Sequence, residues 1–268
     1  MLSFLGSRRP GKVPTEPGEP VWAIGDVHGC ADLLHALLAQ IFAMASMQSP
    51  TRIIFLGDYV DRGPGSREVL DLLIELQSLE RVRPSFIRGN HDFMMQEFLR
   101  KPEVGPAWVN MGAGTTLTSY GIAPPALSLS PHAWRDTQAR FAEAVPERHR
   151  VFLDRLEPSV VEGEYFFTHA GVRPGKPINR QRPSDLMWIR SVFLDDKRRL
   201  GKMVVHGHTV TSDPHEDHRR IGLDTGAYAS GRLTAVCIEG TRRRFLQVRR
   251  TAPGRILPFW DVTSSAVA

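Results

Sequence analysis

The chain has 268 residues, 41% of them hydrophobic and 24% charged, with a formal net charge of +5. That length buries a sizeable core without disulfides or a structural metal, and so mild a positive excess gives little ground for a nucleic-acid partner. Two cysteines, Cys30 and Cys237, make no disulfide framework and fit a reducing, cytoplasmic setting. No apolar run approaches the ~18–20 residues that cross a bilayer, which excludes a membrane-spanning helix.

Residues 1–20 mix Gly, Pro, Ser and both charge signs. Their apolar piece (Leu2, Phe4, Leu5) is too short for a signal-peptide core, so they read as a flexible tail. A single domain is expected over 21–250. Its first strand, Val21-Trp22-Ala23-Ile24, ends in GDVHG at 25–29. Leu33, Leu34, Leu37, Leu38 and Ile41 then form one helical face. The second strand, Ile53-Ile54-Phe55-Leu56, ends in GDYVDRG at 57–63, and Val69, Leu72, Leu73 and Leu76 form a second helical face. The third, Phe86-Ile87, leads into GNHD at 89–92. Residues 93–160 hold Pro102, Pro106, Pro124, Pro125 and Pro131 among their prolines, glycines at 112 and 114, and a helical pattern from Trp134 to Leu156. They carry no obvious chemistry and read as a helical, cap-like insertion beside the site. Strands at Tyr165-Phe166-Phe167 and Met203-Val204-Val205 end in His169-Ala170-Gly171 and His206-Gly207-His208.

Continuous apolar runs of this length suit strands buried on both faces, and their alternation with helices predicts an α/β fold. Ile221–Leu223, Leu233–Ile238 and Phe245–Val248 follow as successive strands, which makes the sheet mixed. Arg242, Arg243, Arg244, Arg249 and Arg250 read as a solvated edge strand whose charges discourage pairing. His215-Glu216-Asp217-His218 lacks the spacing of the helical His-Glu-x-x-His zinc motif and reads as a surface loop. Residues 251–268 read as a C-terminal tail.

Five strand ends thus each open into residues that bind metals. Ligands in open α/β sheets sit beyond the carboxyl ends of strands, so these five loops could pool into one pocket. GDVHG, GDYVDRG, GNHD, HAG and GHT, with LDTGA at 223–227, resemble the calcineurin-like metallophosphoesterases, and within them the prokaryotic and phage-type serine/threonine branch of the phosphoprotein phosphatases. The resemblance covers about residues 20–250. It implies an α/β/β/α sandwich whose mixed sheets are flanked by helices. It also implies two divalent cations, with Mn²⁺ expected first and Fe or Zn²⁺ as alternatives. Asp26 and His28 would bind the first ion, Asp58 would bridge both, and Asn90, His169 and His208 would bind the second. Carboxylate, imidazole and amide oxygen suit such ions.

By the same resemblance His91 is the general acid, Asp61 orients it, and Arg62 and Arg190 grip the phosphate. A guanidinium matches two phosphoryl oxygens at once. His206 is expected to support the site rather than bind metal, and Cys30 to pack at a helix start. Val210 stands where many wider relatives carry a further histidine, as in the phosphatase branch. The implied reaction is phosphomonoester hydrolysis by direct attack of a hydroxide bridging the two ions, with no covalent phosphoenzyme. The expected substrate is a phosphorylated protein, as for a serine/threonine phosphatase, or a small phosphoester. A symmetrical diadenosine tetraphosphate hydrolase is the rival enzyme; Asp61 stands where those have Ala, while Arg62-Gly63-Pro64-Gly65-Ser66 and Asp92 suit both. A catalytically silent metal-binding scaffold is the rival of another class. It would be expected to have lost ligands that this chain keeps.

Overall fold

Along each buried strand, side chains go alternately to two different cores, as a period of two requires. In β1 (Val21–Ile24), Trp22 and Ile24 join the helical layer, while Ala23 joins the core between two sheets. The computed structural model describes residues 20–45, 49–124, 130–252 and 254–261. The first half of the chain continues with α1 (Ala31–Met44), β2 (Thr51–Phe55), α2 (Ser66–Gln77), β3 (Val82–Phe86) and α3 (Asn90–Arg100). Next come α4 (Gly105–Trp108), a kinked turn over Val109–Ala113, and α5 (Gly114–Ser119). The single helical pattern expected from Trp134 to Leu156 is two helices, α6 (Pro131–Ala144) and α7 (Glu147–Asp154), broken at Val145-Pro146. A proline lacks the N–H that would carry a helix through.

The second half holds β4 (Ser159–Glu162), β5 (Tyr165–Thr168), α8 (Pro183–Trp188), α9 (Ser191–Leu194), β6 (Met203–His206), β7 (His215–Glu216) and β8 (Arg220–Gly222). It closes with α10 (Ala227–Ser230), β9 (Arg232–Glu239), β10 (Arg242–Ala252) and β11 (Arg255–Asp261).

One sheet runs β11-β10-β9-β1-β2-β3 and the other β4-β5-β6-β8-β7. Both are mixed: β1, β2 and β3 are parallel, as are β5, β6 and β8, while β9, β10 and β11 pair antiparallel. Ile54, Leu56, Phe167, Val205, Val236 and Phe245 fill the space between the sheets. Phe166 and Val204 turn the other way, onto Leu186 and Phe193 of the helices beyond and Ile189 between them. The layers are therefore helix, sheet, sheet, helix, as the family resemblance implies.

Three expectations need correction. The arginine-rich strand is not an edge: β10 lies between β9 and β11, and the strand at 255–261 carries the sheet past the boundary set at 250. Arg243 is buried. Its Nε donates to Tyr165 Oη at 3.1 Å and its head pairs with Glu216, so this cation is structural. His215-Glu216-Asp217-His218 is accordingly no free loop, because its first two residues form β7 and Asp217 accepts the N–H groups of Arg219 and Arg220. The expected tail over residues 1–19, and the end of the chain over 262–268, lie outside the described residues. Among the described residues no helix is long and apolar enough to cross a membrane.

Phe167 is fully buried between the sheets. Phe167→Ala should cost about 3–5 kcal/mol of unfolding free energy by urea denaturation; a loss below about 1 kcal/mol would contradict the inter-sheet placement.

Candidate metal centre

The parallel strands of both sheets end on one side of the molecule, and their loops meet there. His28 follows β1, Asp58 and Asp61 follow β2, Asn90 and His91 open α3, His169 follows β5 and His208 follows β6. All seven are buried, as is Asp26. Among the described residues, five outside glycine adopt left-handed backbone: His28 (φ 45°), Asp58 (53°), Asp61 (73°), Arg62 (68°) and His208 (63°). All five lie within GDVHG, GDYVDRG or GHT. Side chains disfavour this region, and such strain persists where the surroundings over-determine it, which is often at functional sites.

The Asp58 carboxylate is the hub. Its Oδ2 lies 3.5 Å from His28 Nε2, 3.4 Å from His169 Nε2 and 4.0 Å from His91 Nε2. Two donor groups share it: His28, Asp58 and His91, and Asp58, His169 and His208. Asn90 Oδ1 is 3.0 Å from His169 Nε2, and His208 Nδ1 is 3.2 Å from the same nitrogen. One ring nitrogen thus faces three heteroatoms at 3.0–3.4 Å, more than one N–H can satisfy. The outer nitrogens are fixed by backbone carbonyls, His28 Nδ1 on Val60 O and His169 Nδ1 on Leu56 O, both at 2.9 Å. That arrangement turns each Nε2 inward, as metal-ligating histidines are held. His208 Nε2 is buried without a hydrogen-bond partner. Converging lone pairs, an orphaned imidazole nitrogen and an oxygen-and-nitrogen donor set fit divalent cations.

Asp26 joins neither donor group. Its two oxygens accept the His208 amide N–H at 3.0 and 3.2 Å. Gly207 permits this, since a Cβ there would stand 1.8 Å from Asp26 Oδ1. His206 turns away from the centre, with Nε2 on Arg220 and its ring edge-on to Phe193. Cys30 is the buried residue that precedes α1, as expected.

Protonation follows from burial and from the carboxylates. Burial pushes the His28 imidazole down to about 3 and His208 to about 2, so both are neutral and able to bind a cation. Burial opposes charge on His169 too, but Asp58 and Asp26 outweigh it and hold that imidazole up at about 10. Burial, then the neighbouring Asp224, raises Asp26 well above the usual carboxylate range. Burial and Asp58 raise Asp92 to about 7.

Two supporting groups escaped the sequence reading. Asp92 accepts the backbone N–H groups of Asp58, Tyr59 and Gly89, each at 2.9 Å, and so fixes the loop that carries the hub. Asp61 Oδ2 is 2.7 Å from His91 Nδ1 and accepts Trp108 Nε1–H at 2.8 Å, while its Oδ1 accepts the Thr116 hydroxyl at 2.6 Å. Both partners come from the 93–160 segment, which therefore does carry part of the site. No local pattern marks Trp108 or Thr116, since they reach Asp61 across 47 and 55 residues. Burial lowers the His91 imidazole's affinity for a proton, but Asp58 and Asp61 reverse this and raise it above the ordinary value. Arg62 and Arg190 stand at the rim: Arg62 Cζ lies 4.8 Å from the Tyr228 ring centre, and Arg190 Nη1 donates to His208 O at 3.2 Å.

The profile of the Calcineurin-like phosphoesterase family matches residues 19–234. The asymmetrical bis(5'-nucleosyl)-tetraphosphatase PrpE of Oceanobacillus iheyensis is 28% identical over 243 residues, covering 79% of this chain and 86% of its own. Among solved structures, one assigned provisionally as a diadenosine tetraphosphatase superposes with a TM-score of 0.58 at 20% identity, over 94% of this chain and 97% of its own. A cold-active protein tyrosine phosphatase superposes with a TM-score of 0.55 at 14% identity, over 85% of this chain and 75% of its own. At such identities the solved structures speak for the fold alone.

His169 holds its proton up to about pH 10 and must shed it before Nε2 can bind a cation. Mn²⁺ uptake near neutral pH should therefore release protons, and apparent affinity should rise with pH. Calorimetric titration in buffers of different ionisation enthalpy reads both; affinity independent of pH would contradict the His169 assignment.

Proposed function

The chain belongs to the calcineurin-like phosphoesterase family, and from that premise we propose that it hydrolyses phosphomonoesters of alcohols, with phosphoserine or phosphothreonine in a protein as the substrate class. Asp26, His28 and Asp58 would hold one divalent cation, and Asp58, Asn90, His169 and His208 the other. Such a pair, when bound, lowers the pKa of a water and neutralises phosphoryl charge. Manganese is the expected metal.

The observation that carries the alcohol reading is the mount of His91. Its Nδ1 is committed to Asp61 at 2.7 Å, and Asp61 is itself held by Trp108 and Thr116. This fixes the tautomer and turns Nε2 toward Asp58, beside the place where a phosphoryl group would sit. An alkoxide is a poor leaving group and needs a proton as the P–O bond breaks; a nucleotide departs as a stabilised phosphate anion and needs none. A buried imidazole braced by a carboxylate is what an alcohol ester calls for.

The step proceeds as follows. Arg62 and Arg190 orient the phosphoryl oxygens. Water attacks phosphorus opposite the ester oxygen, the P–O ester bond breaks, and His91 Nε2 gives its proton to the departing alcohol. The attacking water's proton passes to solvent, and His91 is reprotonated from there; Asp61 stabilises the imidazolium before donation and after reprotonation and holds the ring's Nδ1 in between.

A second reading has its own support. The relative from Oceanobacillus iheyensis is named as a tetraphosphatase that cleaves asymmetrically, and it matches most of both chains. The proposed alternative substrate is accordingly a dinucleoside tetraphosphate, with asymmetrical cleavage as in that relative's name rather than the symmetrical cleavage of the expected rival enzyme.

His91→Ala should lower kcat on a phosphoserine peptide by about 10²–10⁴-fold. It should spare p-nitrophenyl phosphate, whose leaving group needs little protonation, and bound metal should be unchanged by elemental analysis. Equal losses on both substrates would remove the general-acid assignment. A wild-type panel of phosphoserine peptide, phosphotyrosine peptide and diadenosine tetraphosphate, run with Mn²⁺, decides the substrate class; kcat/KM highest on the dinucleotide would favour the second reading.

A further inference from the structure

Arg62 is anchored at both ends without an ion pair among the described residues, though its charge also acts on nearby Asp224. At the base its backbone N–H donates to Gly112 O at 3.0 Å, and its stem lies against Gly112, where an added Cβ would come 2.9 Å from Arg62 Cγ. At the tip the guanidinium carbon lies 4.8 Å from the centre of the Tyr228 ring. Among the described residues no carboxylate, carbonyl or hydroxyl accepts from the guanidinium. By contrast, Arg173, Arg198 and Arg250 are each paired to an aspartate.

Tyr228 is itself out of place as a core residue. It is 39% exposed on the four-residue α10, and its hydroxyl makes no hydrogen bond among the described residues. Yet its ring sits edge-on to His28, 5.4 Å between centres at 84°. It therefore touches both a residue of the candidate metal centre and the arginine at its rim. An aromatic face attracts a guanidinium through its quadrupole and takes none of its N–H groups. A carboxylate in the same place would orient the arginine too, but would compete with the substrate for those donors.

We infer that Tyr228 is a positioning residue: its ring holds the Arg62 guanidinium at the mouth of the site in a pose that leaves all its N–H donors for an anionic substrate. The inference rests on the reading of Arg62 as a phosphate-binding group. Tyr228 directly follows the LDTGA motif, and the resemblance gives this tyrosine no role.

The test uses Mn²⁺-loaded protein, p-nitrophenyl phosphate as substrate and orthophosphate as competitive inhibitor. Tyr228→Ala should raise KM and the orthophosphate Ki by roughly 3- to 30-fold, the span of a partly desolvated cation–π contact. It should move kcat by less than about threefold. Tyr228→Phe, which keeps the ring face, should bring KM and Ki back toward the wild-type values. In an Arg62→Ala background, Tyr228→Ala should add no further loss of phosphate affinity. The proposal is overturned if Tyr228→Phe is as weak as Tyr228→Ala, or if the two losses multiply in the double variant. Should Arg62→Ala alone leave Ki unchanged, the reading of Arg62 fails first, and that of Tyr228 with it.

Discussion

Three imidazole nitrogens point at one oxygen of Asp58, from distances of 3.4 to 4.0 Å, inside a pocket that solvent barely reaches. A buried carboxylate is costly to keep ionised unless charge or hydrogen bonds offset the lost hydration. Asp26, Asp92 and Asp224 are buried around it, and they deepen the problem by mutual repulsion. The protein meets it partly with backbone: Asp58 Oδ1 accepts the His91 N–H, Asp26 accepts that of His208, and Asp92 accepts three. Divalent cations at the two donor groups would supply the remaining compensation. The fold is arranged around this demand, since only parallel strands from two facing sheets deliver so many loop residues to one point.

The left-handed residues show the same constraint locally. His28, Asp58, Asp61, Arg62 and His208 hold backbone conformations that cost energy in isolation, of the order of 1–3 kcal/mol for strained positions. Surrounding hydrogen bonds fix each of them: Gly63 N–H on His28 O and Asp61 O, the Val27 and His28 N–H groups on Asp58 O, Arg62 N–H on Gly112 O, and His208 N–H on Asp26. The 93–160 segment takes part as well. Trp108 and Thr116 reach into the loop after β2 and pin Asp61, so a region that looked like a cap also braces the proposed proton donor.

Much of this was legible in the sequence because the signal is local. A run such as Ile53-Ile54-Phe55-Leu56 is apolar at every position because both faces of its strand are covered, and the turn residues behind it announce the loop. The α/β class and the strand ends follow from that pattern, while the four layers follow from the family resemblance. What was misread depends on partners distant in sequence. Arg243 looks like a solvent charge until Glu216 and Tyr165, 27 and 78 residues away, are seen to bury it. β11 contains Pro258, which weakens a strand reading, yet proline is tolerated on a sheet edge, and that is where this strand lies. Most of the Trp108 ring is ordinary core, packed on Phe98 and Phe141, and only its indole N–H serves the site, so nothing local in the sequence sets it apart.

Since everything turns on Asp58 as a shared neighbour, the most direct measurement is anomalous diffraction from crystals of the Mn²⁺-loaded protein. The account predicts two anomalous peaks about 3.5–4 Å apart, with the Asp58 carboxylate in contact with both. A single peak, or a pair whose common neighbour is some other side chain, would contradict it.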